Sequence, residues 1–185
     1  MSIKLKTLFY FNIPIVFIFI YPLIDNLIFD LMSYIIKMTG YIVLIYLLLI
    51  LSLPLYKKSN QYIDRKILGL ITFFCTLIHF FLYVFDNNFN TKLLLDDLLF
   101  RKYIQSGYIA LLLFIPLAIT SIDYIKNLTK SYWHLIHRSI YIIIVFSFIH
   151  YNMIIKADYM LFYIFLLLNH NLLNLYQGLF RLNQI

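Results

Sequence analysis

The chain consists almost entirely of apolar stretches long enough to cross a bilayer, and that property limits what it can fold into. Six such stretches stand at residues 8–24, 41–56, 67–85, 103–122, 133–155 and 159–179. Each is near the ~17–25 residues that a helix needs to traverse the hydrocarbon core. Of the 185 residues, 63% are hydrophobic and 12% charged, far from the usage of soluble domains. The expectation is an all-α integral membrane protein, a six-helix transmembrane bundle. Four Gly and four Pro leave no room for a flexible linker, so residues 1–185 are read as a single transmembrane domain. The first stretch follows Lys4 and Lys6 as a signal peptide would. It closes on Tyr21-Pro22-Leu23-Ile24, without the small residues of a cleavage site, and is read as a retained helix. The second, at 41–56, is the shortest. Tyrosines and Trp133 cluster near the ends of the stretches, as amphipathic rings at headgroup depth should.

Charge sets the orientation. With the N-terminus inside, one side collects Lys4, Lys6, Lys57, Lys58, Arg65, Lys66, Lys126, Lys130, Arg138 and Arg181 against Asp64 and Asp123 alone. The other side holds Lys37, Lys92, Arg101, Lys102 and Lys156 against Asp25, Asp30, Asp86, Asp96, Asp97 and Asp158. The positive-inside rule then puts both termini in the cytoplasm. The net charge of +7 is thereby mostly topology, and with no basic stripe outside the membrane flanks a nucleic-acid partner is not expected.

Ionisable groups inside such stretches are costly and mark function. Three histidines are placed there: His79, His137 and His150. On the six-span topology His79 and His150 share the outer half of the membrane, whereas His137 lies near the inner face, thirteen residues or about 20 Å of helix from His150. Imidazoles at two depths suit axial ligation of haem in each leaflet. They equally suit proton relay or polar packing. His137 and His150 are also about 140° apart around an ideal helix, so they need not face one neighbour. Arg65 and Arg138 share the depth of His137 and suit a haem propionate or a cofactor phosphate, or serve as snorkelling anchors of helix ends. His134 reads as a headgroup-level residue and His170 as a polar core or inner-surface residue. Cys75, one turn from His79, reads as a small buried residue; Gly69 and Gly107 could admit a helix or a flat macrocycle. No nucleophile elbow, phosphate loop, paired-Cys metal site or Gly-rich dinucleotide motif occurs.

These residues resemble a known family. Arg65-Lys66-Ile67-Leu68-Gly69-Leu70 followed by His79, then Arg101, Tyr103 and Gly107, then Leu117-Ala118-Ile119-Thr120-Ser121, and finally Trp133, His137, Tyr141 and His150-Tyr151 form an ordered set over roughly 60–155. It is similar to MsrQ, the haem-binding membrane subunits of bacterial methionine sulfoxide reductase systems, within the ferric-reductase-like transmembrane group. The resemblance implies a multi-pass protein of the bacterial inner membrane carrying heme b, one or two per chain. Its electrons come from a cytoplasmic flavin reductase or a quinone and go to a periplasmic molybdopterin enzyme, MsrP-like, that repairs oxidised methionine. The family's ligand histidines carry over to His79, His137 and His150 as metal ligands. Larger relatives use a fourth histidine where this chain has Arg65. FMN is associated with the family, but no residues here establish a flavin site. Ile136 replaces the usual Leu before His137, and His134 adds an imidazole one turn away. The chain is read as an electron-transfer subunit rather than the catalytic one. The rival readings are a cytochrome b reducing ferric iron or quinone, and a non-redox small transporter or assembly factor.

Overall fold

The computed structural model describes residues 2–24, 30–55 and 61–155. Among them the chain forms helices α1 (Ile3–Ile24), α2 (Leu31–Ser52), α3 (Arg65–Asp86), α4 (Thr91–Phe100), α5 (Lys102–Thr120), α6 (Asp123–Arg138) and α7 (Ile140–Ile155), with no strand. Five spans are long and apolar enough to cross a membrane: 3–22, 31–52, 65–86, 102–120 and 132–154. The sixth apolar stretch, at 159–179, and His170 within it lie outside the described residues.

The second span is the clearest departure from the sequence reading. It begins at Leu31 rather than near Tyr41, because Asp30 caps it by accepting the Ser33 backbone N–H at 3.0 Å. That bond to the carboxylate also holds the Asp30 pKa below its ordinary value. The added residues include Lys37, exposed on the helix where the sequence had placed it in a loop. The resulting 22-residue helix is the most deeply buried of the five, and every apolar cluster contains part of it. Leu47 packs with Ala110, Phe114 and Leu117 of α5 and with Ile143 and Ile144 of α7. Tyr46 and Ile50 pack with Leu68, Ile71 and Cys75 of α3. Leu44 packs with Phe148 and Tyr151 of α7. Removing these side chains from contact with water or lipid gives close packing around one central rod. Cys75, 3% exposed, is a small member of this core.

Helix α1 is the least buried of the five spans; Phe11 and Ile15 pack against the Tyr46 cluster, and two hydrogen bonds tie it on. The Tyr46 hydroxyl donates to the Phe11 carbonyl at 2.6 Å. The Asp64 backbone N–H donates to the Thr7 hydroxyl at 2.9 Å, while the Asp64 carboxylate accepts from the N–H groups of Lys66 and Ile67 to cap α3. Much of α1 presents Leu8, Phe9, Ile13, Val16 and Phe17 outward, as a lipid-facing helix would.

Two further helices were not anticipated. After α3 the chain turns through Asn88 and Phe89 in the left-handed region, and Asn90 caps α4 by accepting from Lys92 and Leu93. Asp97 of α4, 7% exposed, accepts from the Tyr83 hydroxyl at 2.7 Å and pairs with Arg101 Nε at 3.0 Å. The other is α6, whose polar and apolar residues segregate on opposite sides and whose backbone breaks at Lys130. Tyr124 and Leu128, one turn apart before the break, are exposed, so this first part has the pattern of a helix lying in the interface, while the part from Tyr132 onward belongs to the fifth span. Lys66 bonds Asp123 at 2.7 Å and lowers its carboxyl pKa, which fixes the start of α6 beside the start of α3. The fifth span is thus composite. α7 alone has 16 residues, about 24 Å, and the last turn of α6 completes the crossing.

Candidate functional site

His79 extends from α3 and His150 from α7, and the fold brings them together with ring centroids 6.2 Å apart and planes at 89°. Each is turned toward a different neighbouring helix. His79 Nδ1 lies 3.0 Å from the Ile36 carbonyl and 3.2 Å from the Thr39 hydroxyl, both on α2. His150 Nδ1 lies 2.6 Å from the Tyr103 carbonyl on α5. A carbonyl oxygen only accepts, so in both rings Nδ1 carries the hydrogen and Nε2 keeps its lone pair. That is the state an imidazole needs in order to bind a metal while its other nitrogen is held in place.

The pair can supply two ligands and no more. Among the described residues there is no group of three or more His, Cys, Asp or Glu able to hold a metal ion. A metal between these rings would therefore draw its remaining ligands from something other than this set, as an iron in a macrocycle does. Two imidazoles that each gave Nε2 to one iron at about 2 Å, with each ring centre about 1 Å beyond its nitrogen, would have centroids about 6 Å apart. The 6.2 Å separation fits that span.

His137 is not brought to this pair. It lies at the last turn of α6, near the opposite end of the bundle, against the face of Trp133 at 4.1 Å. Its Nε2 is 3.2 Å from the Thr120 hydroxyl. That hydroxyl gives its own hydrogen to the Pro116 carbonyl at 2.7 Å, so His137 Nε2–H donates and Nδ1 holds the lone pair. Its tautomer is thus the reverse of the other two. Trp133 Nε1 bonds the Thr120 carbonyl, and Lys126 lies over the indole at 4.8 Å. His134 is exposed and touches the indole edge at 5.0 Å. Arg65 and Arg138 are both exposed. Beside them, Lys4, Arg65 and Lys66 line an open cleft of about 490 Å³ with Ser2, Ile3, Ile63 and Asp64.

Gly107 lies directly against the His150 ring, whereas Gly69 has nothing within 4 Å of where a Cβ would stand. Thr39 and Gly40, which meet His79, were not singled out from the sequence. Neither carries charge, and the helix that holds them was read as starting after them.

A bundle of membrane-length helices that brings two imidazoles together, each fixed through Nδ1 to a neighbouring helix, defines a class of integral membrane protein built around a close histidine pair. The family described as "Ferric reductase like transmembrane component" matches residues 8–148, and the chain belongs to it. It is 32% identical over 138 residues to the protein-methionine-sulfoxide reductase heme-binding subunit MsrQ of Herminiimonas arsenicoxydans, covering 71% of this chain and 63% of the relative. It is 35% identical over 94 residues to the MsrQ subunits of Brucella ovis and Brucella suis, covering 50% of this chain and 43% of each relative. The chain thus spans about two fifths to three fifths of the length of these curated relatives. No solved structure matches it.

Proposed function

We propose that the chain is a haem-binding membrane subunit that carries electrons from the cytoplasmic side or the quinone pool to a periplasmic, MsrP-like methionine sulfoxide reductase. The observation that carries this reading is the His79–His150 pair, whose 6.2 Å separation and common Nδ1–H state suit axial ligation. The names of the relatives supply the system. A heme b held there supplies a one-electron carrier without proton chemistry of its own. The protein's part is to keep both imidazoles neutral and immobile, so that neither ligand moves or titrates when charge arrives.

On this reading the pair stands toward the periplasm. His137, Arg65 and Arg138 stand toward the cytoplasm, where electrons enter. His137 is the candidate ligand of a second haem, and the two arginines suit its propionates or a phosphate. The basic cleft beside Lys4, Arg65 and Lys66 is where a flavin-bearing donor, or FMN itself, would dock.

The test is a reduced-minus-oxidised spectrum with a haem-to-protein ratio. The unaltered protein should show a low-spin b-type signal that His79→Ala and His150→Ala each remove and His134→Ala keeps. Full retention in the His79→Ala, His150→Ala double variant would sink the pair as ligands. His137→Ala should block reduction by a cytoplasmic donor while dithionite still reduces the remaining haem; unchanged donor-driven reduction would point to a single-haem protein.

A further inference from the structure

The two histidines are held by the same local construction, used twice. On α2 the Ile36 carbonyl accepts His79 Nδ1–H, the Thr39 hydroxyl lies 2.9 Å from that carbonyl, and Gly40 follows. On α5 the Tyr103 carbonyl accepts His150 Nδ1–H, the Ser106 hydroxyl donates to that carbonyl at 2.7 Å, and Gly107 follows. Acceptor, hydroxyl and glycine stand at i, i+3 and i+4 in both helices. The sequence repeats with them: Thr39-Gly40-Tyr41-Ile42 and Ser106-Gly107-Tyr108-Ile109.

The geometry explains the glycine. In an α-helix the carbonyl of residue i already accepts the N–H of residue i+4; the hydroxyl at i+3 and the imidazole share the outward side of the same oxygen, and the imidazole reaches it from beside the i+4 residue. An imidazole doing so lies over its Cα. A Cβ at Gly107 would stand 2.9 Å from Nδ1 and 3.0 Å from Cε1 of His150. A Cβ at Gly40 would stand 3.2 Å from Cε1 and 3.5 Å from Nδ1 of His79. At Gly107 a side chain would force the ring away from the carbonyl, and at Gly40 the ring would have to give by a few tenths of an ångström.

We infer that Thr39-Gly40 on α2 and Ser106-Gly107 on α5 are two equivalent cradles whose function is to position the His79 and His150 imidazoles for metal binding. This rests on the haem reading above. Gly40 and Gly107 are positioning residues: they touch the ligand rings and leave the metal to them. The cradles act in pairs across the bundle, α2 serving the histidine of α3 and α5 serving that of α7, so the two rings are oriented by helices that do not bear them.

The test uses the full chain purified in detergent, with Gly40→Ala, Gly107→Ala and Gly69→Ala compared by haem-to-protein ratio, low-spin fraction and electron paramagnetic resonance. Gly107→Ala should lower haem retention about tenfold or more, as loss of a ligand's supporting bond does. Gly40→Ala, where the ring must yield only a few tenths of an ångström, should keep haem but change the anisotropy of the ferric low-spin signal, which follows the angle between ligand planes. Gly69→Ala should match the unaltered protein. Should Gly107→Ala fail to fold, the signal of Gly40→Ala decides alone. An unchanged ratio and signal in both cradle variants would overturn the inference and leave the haem reading intact. Equal losses in all three would reduce it to general helix packing and overturn it. Retention of the full signal after His150→Ala would overturn the haem reading and the cradles with it.

Discussion

At the scale of single residues, the chemistry of each imidazole is set by what its other nitrogen touches. His79 shares its Nδ1 hydrogen between the Ile36 carbonyl at 3.0 Å and the Thr39 hydroxyl at 3.2 Å. A ring whose N–H is well accepted is a stronger electron donor through Nε2, and that stabilises the oxidised metal. Thr39→Val removes one acceptor at nearly constant volume, and the midpoint potential of the bound haem should rise by tens of millivolts, about the scale on which such hydrogen bonds tune a site. A redox titration followed at the low-spin band checks this; a potential that stays put or falls would mean that the carbonyl alone sets the donor strength. The histidines were legible in the sequence because an ionisable side chain in an apolar stretch is conspicuous. Their acceptors were not. Ile36 and Tyr103 act through backbone oxygens, which every residue has, and the pairing of α3 with α2 and of α7 with α5 exists only in three dimensions. His137 shows the same limit in reverse, since its side chain could be picked out but its Nε2–H bond to Thr120 could not.

At the scale of elements, two short pieces organise the ends of the bundle. Asp97 holds α4 by accepting from Tyr83 of α3 and pairing with Arg101, whose Nη1 also reaches the Tyr103 hydroxyl at 3.2 Å. Because Tyr103 is also the residue whose carbonyl meets His150, this cluster steadies the first turn of α5. Asp97→Ala leaves a half-buried tyrosine hydroxyl without its acceptor and should cost about 1–3 kcal/mol. A lower midpoint of thermal unfolding, with earlier loss of the haem band, is the expected result, and an unchanged midpoint would remove α4 from any structural role. Exposed pairs matter less: Asp30 and Asp123 have lowered pKa values, so their contribution is complete above the ordinary carboxylate range and is lost only as pH falls through the depressed values. The extra helices escaped the sequence reading because α4 is short and α6 carries its charge among apolar residues. Hydropathy alone reads such segments as loops. The same blindness moved the start of α2, where Asp30 and Ser33 form a cap that a window of hydrophobicity passes over.

At the scale of the whole molecule, the distribution of charge predicts which end faces which compartment. A reporter fused after Asn127, next to Lys126, should read cytoplasmic, and one after Asn90 should read periplasmic. The opposite result would exchange the compartments of the His79–His150 pair and of His137, and reverse the direction assigned to electron flow. The bundle character of the fold follows from the apolar stretches themselves, as does the presence of at least five spans. The depth of α2 does not follow from them. Its apolar residues resemble those of every other stretch, and only packing with α3, α5 and α7 makes it the centre.

That central position has a consequence for how the protein is made. The first imidazole and its carbonyl are supplied by α3 and α2, which leave the ribosome early. The second pair needs α5 and then α7, whose His150 follows His79 by 71 positions in the chain. No shorter nascent segment contains both rings together with both of their acceptors. On the reading proposed above, any ligand that needs both rings could be held only once synthesis has passed residue 150. The pair is thus a feature of the chain synthesised through the fifth span, and of no earlier stage.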